Sequence, residues 1–219
     1  MVLSEMNVSS LRSASLEAVE NGVLASPRAG CALTATPRLL LRAPRTADLA
    51  SLLSLHADPA VGRFCACTTP HGREATQAQL QSWLAHWRTE GFGPWAISEL
   101  SQPDQIIGFG GVMRRSVSGH RGVYLYYRFA PQVWGRGLAA EMGQRALALA
   151  FDDLHERAVL ASVEPANMPT RKTLEHLGLR LMGALADVPG QAASLLYELS
   201  AGHWASQPRA EPQAIAFAA

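Results

Sequence analysis

Lysine is almost absent from this chain: of 19 basic residues only Lys172 is a lysine, and the rest are arginines. The skew reads as a genomic coding bias, not as chemistry. Against 18 acidic residues the formal net charge is +1, and no basic block stands out, so nothing here gathers nucleic acid. Cysteine is scarce as well. The three residues are Cys31, Cys65 and Cys67. Cys65-Ala66-Cys67 is too tight for a disulfide within a regular strand, and no further Cys or His stands at metal-ligand spacing. The seven histidines are dispersed with no i, i+4 pair, and no nucleophile elbow accompanies a Ser-His-Asp order. A metal site and a disulfide scaffold are therefore not expected, and a reducing, cytoplasmic setting fits best. The apolar runs fall far short of a bilayer span, and the N-terminal stretch, with Glu5, Glu17 and Glu20, lacks the pattern of a secretory signal. No membrane or nucleic-acid partner is expected.

What the chain does hold is enough for one packed domain: 219 residues, 48% of them hydrophobic, with no internal repeat. The expected organisation is a flexible N-terminal extension (1–36), one domain (37–200) and a disordered tail (201–219). Arg38 to Arg42 reads as a first strand. Thr46-Ala47-Asp48 caps a helix with an apolar stripe of Leu49, Leu52, Leu53 and Leu55. A second helix runs from about Glu74 to Arg88 and turns Leu80, Trp83, Leu84 and Trp87 to one side. Gly91 to Pro94 breaks it, and a meander follows: Trp95 to Ser98, Gln105 to Met113 and Gly122 to Phe129, the last two joined through Ser116 to Gly119. A helix from Leu138, a strand from Ala158 to Val163, a helix ending near Gly178 and two strands, Leu179 to Leu185 and Ala193 to Leu199, complete a β-α-α-β-β-β-α-β-α-β-β order. That order predicts a mixed sheet with helices on both faces.

The most informative run is Ala130-Pro131-Gln132-Val133-Trp134-Gly135-Arg136-Gly137-Leu138-Ala139, between a strand and a helix. Glycines at 135 and 137 permit positive φ and close ligand approach, and the first helical turn offers N–H groups and a positive dipole end to a diphosphate. Gly135-Arg136-Gly137 followed by Ala140 also fits the loose dinucleotide fingerprint G-x-G-x-x-G/A, but four residues separate it from its strand and the nearest strand-end acid, Glu164, comes late. A nicotinamide-dependent oxidoreductase is therefore carried only as an alternative.

Gln132-x-x-Gly135-x-Gly137-Leu138-Ala139 resembles the acyl-CoA pyrophosphate motif, Q/R-x-x-G-x-G/A, of the GNAT N-acetyltransferase superfamily. Pro131-x-x-Trp134-Gly135-Arg136-Gly137 resembles the subgroup that includes the ribosomal-protein N-terminal acetyltransferases. Asn167 to Thr170 leading to Leu177-Gly178-Leu179, the strand Arg38 to Arg42 and the segment Ile107-Gly108-Phe109-Gly110-Gly111 are similar to further parts of that subgroup, in its order, from about Thr36 to Leu199. The resemblance implies a GNAT-like α/β fold: a central mixed, mostly antiparallel sheet of about seven strands, helices on both faces, and a splayed fourth/fifth strand pair that takes the pantetheine arm. It implies acetyl-CoA as cosubstrate and transfer of its acetyl group to a primary amine, a protein N-terminus or a small molecule, by direct attack in a ternary complex. A non-catalytic acyl-CoA-binding or regulatory domain is the other alternative. The protein is expected as a monomer or homodimer.

By that resemblance Phe129, Gln132, Trp134, Gly135, Arg136, Gly137, Leu138, Ala139, Asn167 and Thr170 are the candidate cofactor-binding residues. Relatives place a catalytic glutamate where this chain has Tyr124, a poor base near neutral pH, and a tyrosine where it has Leu174. Glu164 or an ordered water is the favoured proton acceptor, with Glu99 a second carboxylate near the cleft, and Tyr124 a lining or catalytic residue. Thr170 keeps a hydroxyl that can serve the leaving thiolate. Thr170 and Asn167 equally suit a plain helix cap.

Overall fold

The computed structural model describes residues 31–63, 72–185 and 193–208. Cys65, Cys67, His71 and the hairpin expected at Pro189-Gly190 lie outside these, as do residues 1–30 and 209–219. Eight strands form one sheet: β1 (Leu33–Ala35), β2 (Leu39–Arg42), β3 (Trp95–Glu99), β4 (Gln102–Val117), β5 (His120–Phe129), β6 (Ala158–Val163), β7 (Arg180–Leu185) and β8 (Ser194–Ser200), in the order β1-β2-β3-β4-β5-β6-β8-β7. Every neighbouring pair is antiparallel except β5 and β6. This overturns the dinucleotide-fold alternative, which needs a sheet of mostly parallel strands. The helices are α1 (Leu49–Ala57), α2 (Pro59–Gly62), α3 (Gly72–Glu90), α4 (Leu138–Ala148), α5 (Met168–His176) and α6 (Ala201–Ser206).

Alternation along β5 sets the two layers. Val123, Leu125 and Phe129 face one core with Met142, Ala146 and Leu147 of α4, Leu174 of α5 and Leu177 just after it. Tyr126 faces the other way, against a second core of Leu52 and Leu55 from α1, Leu80, Trp83 and Leu84 from α3, and Phe109. The apolar stripes read from the sequence for α1 and α3 supply most of this second core; Leu53 stays outside it, and Trp87 packs into the first core instead.

Glycines make the β4–β5 seam close. A Cβ on Gly108 would lie 2.6 Å from the Arg128 carbonyl oxygen, and one on Gly110 would lie 2.8 Å from both Met142 Cε and Tyr127 Cβ. These positions leave room only for hydrogen where β5 and α4 press on β4.

Four local expectations are corrected. Asp48 does not cap α1: its carboxylate takes the Arg42 guanidinium at 2.7 and 2.8 Å and the Arg45 N–H at 2.7 Å, and a buried arginine–aspartate pair outcompetes the cap. The turn after β4 is only Ser118-Gly119, both with φ > 0, so Ser116 and Val117 remain in the ladder opposite Arg121 and His120. The extension expected up to residue 36 already contains β1, which pairs with β2. The chain does not become a tail at Ser200: that side chain accepts the His203 N–H and starts α6, whose buried Trp204 stacks on Phe151 at 5.5 Å and donates to Asp152 at 3.0 Å.

Candidate active site

β5 and β6 pair only through Val123↔Val159 and Tyr124↔Leu160, then part. The fourth/fifth pair expected from the resemblance is this pair. Gly108 opposes Phe129, and the Ala130 N–H donates to the Ile107 carbonyl at 2.9 Å. Because hydrogen-bonded and non-hydrogen-bonded pairs alternate in an antiparallel ladder, the Phe129 N–H and C=O turn away from β4, toward the opening. The Trp134 indole donates to that Phe129 carbonyl at 2.8 Å. A donor from the strand end therefore faces the gap.

The cradle lies at the top of the gap. Pro131–Val133 forms a short 3-10 turn, and Gly135 and Gly137 have φ of +72° and +75°. A Cβ at Gly135 would meet nothing within 4 Å, and one at Gly137 would come only to 3.7 Å from Arg38 Nη2. Backbone hand, not lack of space, requires glycine here. Valine at Gly137 is expected to cost about 1–3 kcal/mol, read by chemical denaturation; an unchanged midpoint would show that the loop tolerates another hand.

Outside the loop, Arg38 ties the cradle to the sheet. Its Nη1 donates to the Arg136 carbonyl at 2.8 Å and its Nε to Glu141 at 2.6 Å, while Thr36 donates to the same carboxylate at 2.6 Å. Arg136 itself reaches away to Glu99 in a forked pair at 2.9 and 2.6 Å, and this partner holds the Glu99 carboxyl below its usual range. Glu99 is thus engaged at the surface, apart from the cleft.

Two cavities meet at β5. One, of about 320 Å³, is lined by Phe129, Trp134, Gly135, Gly137, Leu138 and Ala139 of the cradle. The other, of about 330 Å³, opens on the α1/α3 side and includes Trp83, Tyr124, Tyr126, Arg128 and Glu164. Tyr127, Arg128, Asn167 and Thr170 line both. The sequence candidates are therefore gathered along one cleft, with two exceptions: Gln132 is exposed and lines neither cavity, and Arg136 is held outward by Glu99.

On the α1/α3 side the candidates differ in kind. Tyr124 is buried, donates its hydroxyl to the His120 carbonyl at 3.0 Å and has its pKa raised by burial, partly offset by Arg115, whose guanidinium lies 5.3 Å from the ring. A phenol so held is a wall, not a base. Glu164 follows β6, and its Oε1 is buried in the cleft without a hydrogen-bond partner. Asn167 caps α5, its Oδ1 accepting the Thr170 N–H at 3.1 Å. The Thr170 carbonyl lies 3.4 Å from the Tyr127 hydroxyl, which donates to it.

Sequence reasoning missed two residues. Arg128 is only 6% exposed yet lines both cavities, and period-2 alternation with Tyr124 and Tyr126 was the signal for its direction. His56, buried on α1, lies 3.2 Å from the Thr76 hydroxyl through Nδ1, while its Nε2 is buried without a partner. Burial, reinforced by the Arg128 charge, lowers its pKa to about 4. Unfolding restores a value near 6.5, so below that pH the unfolded chain binds the proton more readily. Stability is expected to be fully present above about pH 6.5 and to fall toward pH 4 by up to about 1.4 kcal/mol per pH unit. Thermal midpoints across that range check this, and His56→Gln is expected to flatten the slope; an unflattened slope contradicts the assignment.

Among the described residues no group of three or more His, Cys, Asp or Glu is placed to hold a metal ion, and no helix is long and apolar enough to cross a membrane.

Residues 38–180 match the acetyltransferase (GNAT) domain model. The chain belongs to the GNAT acetyltransferase family. It is an acyltransferase enzyme by that membership, and GNAT acetyltransferases use acetyl-CoA as cosubstrate. The uncharacterized N-acetyltransferase p20 of Bacillus licheniformis is 26% identical over 152 residues, covering 69% of this chain and 84% of that protein. Among solved structures, an acetyltransferase of Agrobacterium tumefaciens superposes with a TM-score of 0.65 at 24% identity, over 76% of this chain and 93% of that one. A GNAT-family acetyltransferase of Bacillus anthracis gives 0.63 at 17% identity, over 78% and 99%. These likenesses establish the GNAT fold, not an acceptor.

Proposed function

We propose that this GNAT domain transfers the acetyl group of acetyl-CoA to a primary amine by direct attack, both substrates bound together in the β5–β6 cleft. The observation that carries the reading is the parting of β5 from β6 immediately beside a glycine cradle whose two αL residues open the N-terminus of α4. The diphosphate suits the N–H groups from Trp134 to Ala139, where the α4 dipole is positive. The pantetheine arm suits the gap, pairing with strand backbone as an added strand would. Phe129 N–H faces the position of the thioester oxygen and stabilises the charge that develops on it.

The amine nitrogen bonds to the thioester carbonyl carbon, the C–S bond breaks, and the CoA thiolate leaves. The ammonium loses two protons on its way to the amide: Glu164, directly or through a water, takes the first before attack, and the second passes by way of the Thr170 hydroxyl to the leaving thiolate. Asn167 and Thr170 bound the cleft where the arm passes, and the Thr170 hydroxyl is the proposed donor toward the sulfur. The run Pro131-x-x-Trp134-Gly135-Arg136-Gly137 supports kinship with the subgroup of ribosomal-protein N-terminal acetyltransferases, but it lies on the CoA side and carries no information about the acceptor.

Incubation with acetyl-CoA and a panel of amines tests the proposal. Free thiol released in step with an acetyl mass gain on the amine is expected; CoA binding without turnover of any amine would instead favour the regulatory alternative.

A further inference from the structure

We infer that the acceptor amine carries a carboxylate, an α-amino acid being the simplest case, and that Arg128 selects it. The inference rests on the acetyl-transfer reading above and adds the substrate class. Charge is placed on both sides of the gap where the two strands diverge. Tyr124 and Leu160 are the last paired residues of β5 and β6. Arg128 and Glu164 stand four positions beyond each of them, an even number, so both side chains return to the α1/α3 face. Both line the same cavity. One wall of the gap thus presents a guanidinium and the other a carboxylate.

The guanidinium is a fixed feature of the wall. Arg128 is 6% exposed, and its Cζ lies 5.9 Å from the Tyr126 ring centroid. The nearby His56 is kept neutral by its burial, so it adds no competing charge of its own near neutral pH. The other charged residue on the lining, Arg115, is exposed and lies over Tyr124, the residue at which the two strands still pair.

A planar carboxylate fits the fork of an arginine, with two parallel N–H···O bonds that an ammonium, a hydroxyl or a neutral amide cannot reproduce. An amino acid satisfies both walls at once: its carboxylate meets Arg128 while its ammonium lies toward Glu164, the group proposed to take its proton. A polyamine would turn a second ammonium toward the guanidinium, and like charges in a partly enclosed site are mutually unfavourable. The cavity volume, about 330 Å³, lies at the small end of ligand sites, which run from about 300 to 1,000 Å³.

The test uses the full chain with acetyl-CoA and compares several amino acids with their own α-amides and decarboxylated amines, reading thiol release. The amino acids are expected to exceed both analogues in kcat/KM by about 10- to 100-fold, the worth of a charge-assisted hydrogen-bond pair. Arg128→Lys, which keeps the charge but not the fork, is expected to bring that ratio toward one, chiefly through KM for the amino acid, and Arg128→Gln to erase it. Because Arg128 is buried, the wild-type preference is the primary readout and does not depend on either variant folding. Amides or decarboxylated amines that react as well as the acids, or an Arg128→Lys enzyme with its preference intact, would overturn the inference. If acetyl-CoA binds and neutral amines turn over best, only this inference falls. If acetyl-CoA does not bind, the acetyl-transfer reading falls with it.

Discussion

Glu164→Gln is expected to lower kcat/KM for acetyl transfer by about 10²–10³, the ordinary contribution of a positioned general base. The substitution keeps the shape of the side chain and its place beside β6, and it removes only the capacity to hold a proton. The affinity for acetyl-CoA should change little, since the cradle lies at the other end of the cleft. In the wild type the acid limb of the pH–rate profile should report the base together with the amine; in the variant the contribution of the base should be gone. The competing carboxylate is already engaged, Glu99 being forked to Arg136 at 2.9 and 2.6 Å. The competing phenol is no better placed, because Tyr124 donates its hydroxyl to the His120 carbonyl and burial raises its pKa. A Glu164→Gln enzyme with an unmoved rate and pH profile would assign the proton to bulk water.

Trp83→Ala is expected to cost about 3–5 kcal/mol, the usual loss for truncating a fully buried tryptophan. Trp83 is 2% exposed and packs its indole against Phe109 at 5.7 Å and Tyr126 at 5.5 Å, so it joins α3 to two strands of the sheet. A fall in the thermal midpoint on the order of 10 °C should accompany it for a domain of this size. Trp83 also lines the cavity proposed for the acceptor, so the folded variant should lose more in KM for the amine than in affinity for acetyl-CoA. A midpoint within a degree or two of the wild type would mean that α3 docks through Leu80, Leu84 and Trp87 alone.

Local pattern carried most of the architecture. The 3.6-residue stripe of Leu80, Trp83, Leu84 and Trp87 was legible because a helix against a sheet must be apolar on one side, and all four are buried in α3. The strands were legible from alternation and from the breaks at Gly91 to Pro94 and Gly119. What escaped was decided by partners that periodicity does not name. β1 forms because β2 offers an edge, and α6 forms because Phe151 and Asp152 offer Trp204 a place to dock. Asp48 looked like a cap, and only the arrival of Arg42 makes it an ion-pair partner.

The site divides in the same way. The shape of the loop was readable, because glycine at 135 and 137 states a φ requirement in the sequence itself, and both take positive φ. The placement of the Arg136 and Gln132 side chains was not, since Glu99 pulls the first outward and Gln132 stays exposed. Arg128 and His56 were missed because a lone arginine in a strand and a lone histidine in a helix carry no signal until the fold buries them, Arg128 on the wall of the cleft and His56 against Thr76.

A crystal structure with acetyl-CoA tests the central claim most directly. The account predicts the diphosphate on the N–H groups between Trp134 and Ala139 and the thioester in the gap beyond Tyr124 and Leu160, its oxygen facing the Phe129 N–H. Coenzyme A bound away from that loop, or the gap between β5 and β6 left closed around it, would contradict it.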